Sequence, residues 1–125
     1  MGIGCDLVSH EMTENLNWGS DAIVLRRIFS LRELELYDIQ KNLKFLSGRF
    51  AAKEAVVKCL GTGMADGIAL NEIHILQSQL GKPEIELTGE VKKLAKQLGI
   101  NFWQVSISHS TTHSVAFVIA EQREF

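Results

Sequence analysis

The chain has 125 residues, 46% of them hydrophobic and 22% charged, a balance that excludes a disordered, collagen-like or low-complexity polypeptide and suits one packed domain spanning residues 1–125. Thirteen basic residues against fifteen acidic ones leave a net charge of -2, which argues against an overall electrostatic grip on nucleic acid or an anionic membrane, so any basic binding surface has to be local. The longest apolar runs, such as Val115 to Ala120, fall far short of the ~20 residues of a bilayer span, and no basic segment followed by an apolar one opens the chain, so a cytoplasmic protein is expected.

Taken in chain order, residues 1–8 read as a short strand: Ile3, Cys5, Leu7 and Val8 are apolar, and Gly2 and Gly4 weaken helix formation. Asn17, Gly19 and Ser20 mark a break, after which Ser20 or Asp21 can cap a helix carrying Ile23, Val24, Arg26, Arg27, Ile28 and Phe29. Ser30 and Glu33 have the spacing of a capping box for a second short helix with Leu31, Leu34, Leu36 and Tyr37. Residues 43–60 lack proline, contain only Gly48 as a breaker and are rich in alanine, which predicts the longest helix, stopped by Gly61. Residues 62–67 read as a loop. Ile73 and Ile75 suggest a strand, Gly81-Lys82-Pro83 a turn, and Ile85 and Leu87 alternating with Glu84 and Glu86 its partner strand. Thr88 is placed to cap a helix with Val91, Leu94, Ala95 and Leu98 on one face and Gly99 at its end. Two strands, 103–108 and 114–120, close the chain around the polar turn His109 to His113. The order predicts an α+β fold, with a mainly antiparallel sheet packed on the long central helix. Cys5 and Cys59 are far apart and without zinc-type spacing, and are expected to be small buried apolar residues.

Chemistry concentrates in the segment FLSGRFAAKEAVVKCLG, residues 45–61. At about 3.6 residues per turn, Glu54 and Lys58 share one stripe of the helix and Arg49 and Lys53 another. An ordinary surface ion pair would account for Glu54 and Lys58, but alanines 51, 52 and 55 beside them let a backbone or a ligand come close. Asp6 stands inside a strand, where aspartate is disfavoured. It must be exposed at an edge, hydrogen-bonded, or bound to a cation. If the strand packs beside the helix, Asp6 and Glu54 form an oxygen site of the type Mg²⁺ prefers, with Lys58 facing the same phosphates, the minimal equipment for phosphoryl-type transfer. His109 and His113 flank the last turn and, taken singly, read as solvated; His10 and His74 carry still less signal. Gly61-Thr62-Gly63 can offer backbone N–H groups to a phosphate but lacks the Walker spacing.

The opening GIGCDLV, the helix GRFAAKEAVVKCLGTG, the turn LGKPEIELTG and the ending VSISHSTTHSVAFVI, in this order and at these separations, resemble the holo-acyl-carrier-protein synthase branch of the 4'-phosphopantetheinyl transferases. The resemblance runs over nearly the whole chain. It implies transfer of the 4'-phosphopantetheine arm from coenzyme A to a serine of an apo acyl carrier protein, with release of adenosine 3',5'-bisphosphate. Asp6 and Glu54 would hold Mg²⁺, and Lys58 would neutralise the phosphate under attack. Arg49, Lys53, Gly61 and His109 would contact the nucleotide end of coenzyme A. The resemblance also implies homotrimers with active sites between subunits, Asp6 and Glu54 coming from one chain and His109 from the next.

The departures from the family are local. The family commonly reads D-[IL]-V-E-[IL] followed by a basic residue, where this chain has Asp6-Leu7-Val8-Ser9-His10 and then Glu11 and Glu14. Docking of an acidic carrier protein is therefore expected on Arg26, Arg27 and Arg32, with Lys41 and Lys44 beside them. Two other readings stand at this point. One is a non-catalytic oligomeric module that binds a nucleotide or small acid between subunits. The other is a paralogue that keeps the fold and has lost carrier-protein docking.

Overall fold

The computed structural model describes residues 2–16, 18, 21–40, 42–61 and 68–124, with Gln40 described by its backbone only. These form β1 (Gly2–Ser9), α1 (His10–Asn15), α2 (Ala22–Ile28), α3 (Leu31–Gln40), α4 (Leu43–Cys59), β2 (Ile73–Gln77), β3 (Pro83–Leu87), α5 (Gly89–Gln97), β4 (Phe102–His109) and β5 (His113–Glu121), with a 3₁₀ turn over Leu70–Glu72. The expected antiparallel pairing is present, divided between a three-stranded sheet in the order β1-β5-β4 and a separate β2-β3 hairpin. In the larger sheet Asp6 lies opposite Ala116 and His109 opposite Ser114.

Helix α4 is the axis of the molecule. Its start is capped by Asn42, whose side chain accepts the Lys44 N–H at 2.9 Å. Its end is marked by Gly61 at φ +72°, a left-handed conformation that glycine adopts without a Cβ penalty. The helix is buried almost all round, with Leu46, Ala51, Ala52, Ala55 and Val56 fully inside, because β1 and β5 pack on it from one side and α1, α3 and β2 from others. Its alanines let the sheet come very near. A Cβ on Gly2 would meet the Cys59 carbonyl oxygen at 2.8 Å, and one on Gly4 would run into the Ala55 carbonyl oxygen. With a period of two, Asp6 and Val8 continue this helix-facing row, and Ile3, Cys5 and Leu7 point to solvent. The second apolar cluster lies under the early helices, where Trp18 meets Phe29 and Phe50 edge-on at centroid distances of 5.4 and 5.3 Å.

Several local expectations change. A third short helix, α1, precedes the two that were expected; Ser9 caps it by accepting the Met12 N–H at 3.0 Å. Asp21 caps α2 through the N–H groups of Ile23 and Val24, and Phe29 lies just past that helix. Thr88 makes no side-chain cap for α5. Glu72 instead accepts the Glu90 N–H at 3.2 Å, and the Thr88 hydroxyl lies 3.0 Å from His74 Nε2. Cys5, expected to be buried, is exposed because it sits on the outer face of β1; Cys59 is half-buried, and both are free thiols. The break at Asn17, Gly19 and Ser20, the side chain of Lys41 and the loop 62–67 fall outside the described residues. Among the described residues no helix is long and apolar enough to cross a membrane.

Candidate active site

The close seating of β1 on α4 brings three charged side chains together. Lys58 leaves the last turn of α4 and donates to Asp6 Oδ1 at 3.1 Å and to the Cys5 carbonyl oxygen at 2.8 Å. The ammonium thus reaches across to the strand, where helical stacking alone had pointed it back at Glu54. The Glu54 carboxyl is pushed above the ordinary carboxylate range, first by burial, next by the Asp6 carboxylate, with Lys58 opposing both. The Asp6 carboxylate thus acts on Glu54 across the strand–helix contact. Two hard oxygen donors beside an ammonium are suited to a divalent cation, whose charge would favour the ionised Glu54 carboxylate. Among the described residues no cluster of three or more His, Cys, Asp and Glu side chains is present, so a cation here would draw its other ligands from water and substrate.

Lys53, expected at the nucleotide, belongs elsewhere. It is fully buried and pairs with fully buried Glu33 at 2.5 Å. Its two other N–H groups go to the carbonyl oxygens of Leu70, at 2.9 Å, and Ile73. Three acceptors meet the three donors of an ammonium, so the cation is fully satisfied. Glu33 also accepts the N–H groups of Ser30 at 2.9 Å and Ile75 at 3.3 Å. The capping box legible in the sequence is thus also the anchor that ties α3, α4 and β2 together. Consecutive residues on a helix point about 100° apart, so Lys53 and Glu54 serve different faces.

At the other end of α4 a basic cluster surrounds His109. Arg49 is 7% exposed, lies 3.7 Å over the Phe45 ring and has an Nε without a hydrogen-bond partner. Burial lowers it to about 10, with Glu33 opposing, so it stays cationic at neutral pH. His109 packs on Gly48, where a Cβ would come within 2.6 Å of its Cε1. Its imidazole is held below the ordinary value, first by burial, then by His10, Lys44 and Arg49. Glu54 lies six residues beyond Gly48, roughly 9 Å along the helix, so the basic cluster and the carboxylates form two separate regions of one chain. His10, which carried least weight in the sequence, is buried here and hydrogen-bonded to Ser114. Its only sequence signal is its place next to a helix-capping serine. Gly61 is exposed with open space around it, and Thr62 and Gly63 lie outside the described residues.

Of the residues expected to meet an acidic partner, Arg26 and Arg27 are exposed in the last turn of α2 and Lys44 is exposed on α4. Arg32 is engaged with Glu86 at 3.0 Å.

Comparison with known proteins gives a consistent result. Residues 2–118 match the model of the 4'-phosphopantetheinyl transferase superfamily. The chain is 42% identical over 124 residues to a holo-[acyl-carrier-protein] synthase of Hydrogenovibrio crunogenus, covering 98% of each protein. It is similar to the crystal structure of holo-[acyl-carrier-protein] synthase from Neisseria meningitidis, with a TM-score of 0.88, 34% identity and coverage of 97% of this chain and 98% of that one. The Helicobacter pylori holo-[acyl-carrier-protein] synthase in complex with coenzyme A matches with a TM-score of 0.83, 28% identity and coverage of 95% and 99%.

Proposed function

Since the chain belongs to the 4'-phosphopantetheinyl transferase superfamily, we propose that it is a holo-acyl-carrier-protein synthase, moving the 4'-phosphopantetheine arm of coenzyme A to a serine of an apo acyl carrier protein. The observation that supports this most is the hydrogen bond by which Lys58 of α4 reaches Asp6 of β1, with Glu54 one helical turn from Lys58. In the reaction the serine oxygen forms a bond to phosphorus and the bond from that phosphorus to adenosine 3',5'-bisphosphate breaks. Asp6 and Glu54 are the residues that would hold Mg²⁺, which supplies charge neutralisation of the diphosphate. Lys58, more than half exposed, meets the negative charge that grows on the leaving phosphate. The serine's proton passes to a water held near Glu54.

Arg49, with its unpartnered buried Nε, and His109 suit the nucleotide phosphates of coenzyme A. Because they stand apart from the carboxylates on one chain, the complete site is assembled between subunits of a homotrimer. Support for that assembly comes from the outer face of the β1-β5-β4 sheet, where Ile3, Leu7, Phe117 and Ile119 are exposed as one apolar surface. Arg26 and Arg27 present local positive charge to an acidic carrier protein despite the chain's net negative charge.

Incubation with coenzyme A, Mg²⁺ and an apo carrier protein is expected to add one phosphopantetheine arm to the carrier, read by intact-protein mass spectrometry. Binding of coenzyme A with no mass gain on any carrier tested would instead identify a binding module and end the transferase reading.

A further inference from the structure

Behind His109 runs a line of polar side chains that the transfer chemistry does not use. His10 Nδ1 lies 3.2 Å from the Thr111 carbonyl oxygen, which only accepts, so Nδ1 carries the hydrogen. In the neutral ring the other nitrogen, Nε2, then holds a lone pair, and the Ser114 hydroxyl at 2.8 Å donates to it. With its hydrogen committed, the Ser114 oxygen turns a lone pair to His109 Nδ1 at 2.7 Å and requires an N–H there. Ser114 is fully buried and His10 8% exposed, so the bond between them is shielded from bulk water, and the bond from Ser114 to exposed His109 is partly buried. We propose that Ser114 and His10 are positioning residues that pin neutral His109 as its Nδ1–H tautomer, so that an anionic phosphate engages the bare Nε2 only after one proton has been taken up there.

This rests on the reading that His109 meets a phosphate of coenzyme A. The proton comes from solvent and adds to the Nε2 lone pair, giving an imidazolium with both N–H groups in place; no other bond changes. The groups facing His109 are His10 from α1, Lys44 and Arg49 from α4, and Ser114 from β5. Burial and the positive charges among these favour the neutral ring at rest, and a bound phosphate reverses that preference. Affinity for a phosphate ligand therefore falls as pH rises through the His109 transition, by up to tenfold per pH unit.

The test has two arms. In ¹⁵N-labelled protein above that transition, the imidazole nitrogen shifts are expected to show His109 as Nδ1–H. In Ser114→Ala, and equally in His10→Leu, where the freed hydroxyl can donate to His109, they are expected to show Nε2–H. Calorimetric titration with adenosine 3',5'-bisphosphate in buffers of different ionisation enthalpy is expected to show about one proton taken up by the parent. Ser114→Ala should take up clearly less, since its neutral ring already offers an Nε2–H donor. An Nε2–H tautomer in the parent, or equal proton uptake in parent and Ser114→Ala, overturns the proposal. Absence of bisphosphate binding would instead defeat the functional reading, with the nitrogen shifts still deciding the tautomer.

Discussion

Lys53 and Glu54 are neighbours in sequence with opposite fates. Lys53 has no exposure and lies in a buried pair with Glu33; removing one partner leaves the other charge stranded. Lys53→Ala is therefore expected to cost about 3–5 kcal/mol in urea unfolding, and the double change Lys53→Met with Glu33→Leu considerably less than the single one. Glu54 is strained in the opposite sense. Its carboxyl is raised in the folded chain by burial and by Asp6, so the folded state keeps that proton to higher pH than the unfolded state does. The resulting stability is present at low pH and fades as pH rises through the folded transition. Glu54→Gln is expected to lose transfer activity by about 10³-fold, because a charged oxygen donor is gone. In EDTA at pH 8 the same variant should melt at a higher temperature than the parent, with the difference vanishing toward pH 4. Equal activity would remove the role given to Glu54, and equal melting would remove the repulsion.

Among the elements, the pairing of β1 with α4 decides whether a site exists. Gly2 and Gly4 let the strand lie directly on the carbonyls of Cys59 and Ala55, and that contact carries Asp6 to Lys58. Gly4→Ala forces the two apart and is expected to cost about 1–3 kcal/mol in unfolding free energy. It should also lower activity well below what a conservative core change of equal cost does. Activity tracking stability alone would show that the strand's distance from the helix is not what positions Asp6. The capping box shows an element whose role was half legible: Ser30 and Glu33 announced the start of α3, yet nothing in their spacing announced that Glu33 would receive Lys53 from another helix.

At the scale of the whole molecule, one face of the sheet and one end of the central helix look outward for partners. Phe117 is 54% exposed at the centre of the apolar face. Phe117→Glu is expected to break the proposed trimer into monomers, read by light scattering after size exclusion. It should abolish transfer while leaving the circular dichroism of the folded chain in place, because the outer face contributes little to the monomer's core. A monomeric variant with full activity would show that one chain holds a complete site. Arg26→Glu together with Arg27→Glu is expected to raise KM for an acidic carrier protein by about tenfold and to weaken the salt dependence of association, with turnover of bound carrier unchanged.

By itself the sequence determined the element types and the chemical inventory. Helix α4 follows from its alanines and absent prolines, the antiparallel strands from alternation and turn residues, and the candidate site residues from two acids and a lysine in an otherwise apolar neighbourhood. Tertiary structure alone decided direction. Lys53 and Lys58 stand on different stripes of one helix, each a lysine among alanines and valines, and only the packing of α3 and β2 on one side of α4 and of β1 on the other sends the first into the core and the second to Asp6. The same holds for His10, whose partner is 104 residues away: local pattern fixes which face a side chain shares with its neighbours, and what stands opposite that face depends on chain segments no local pattern can see.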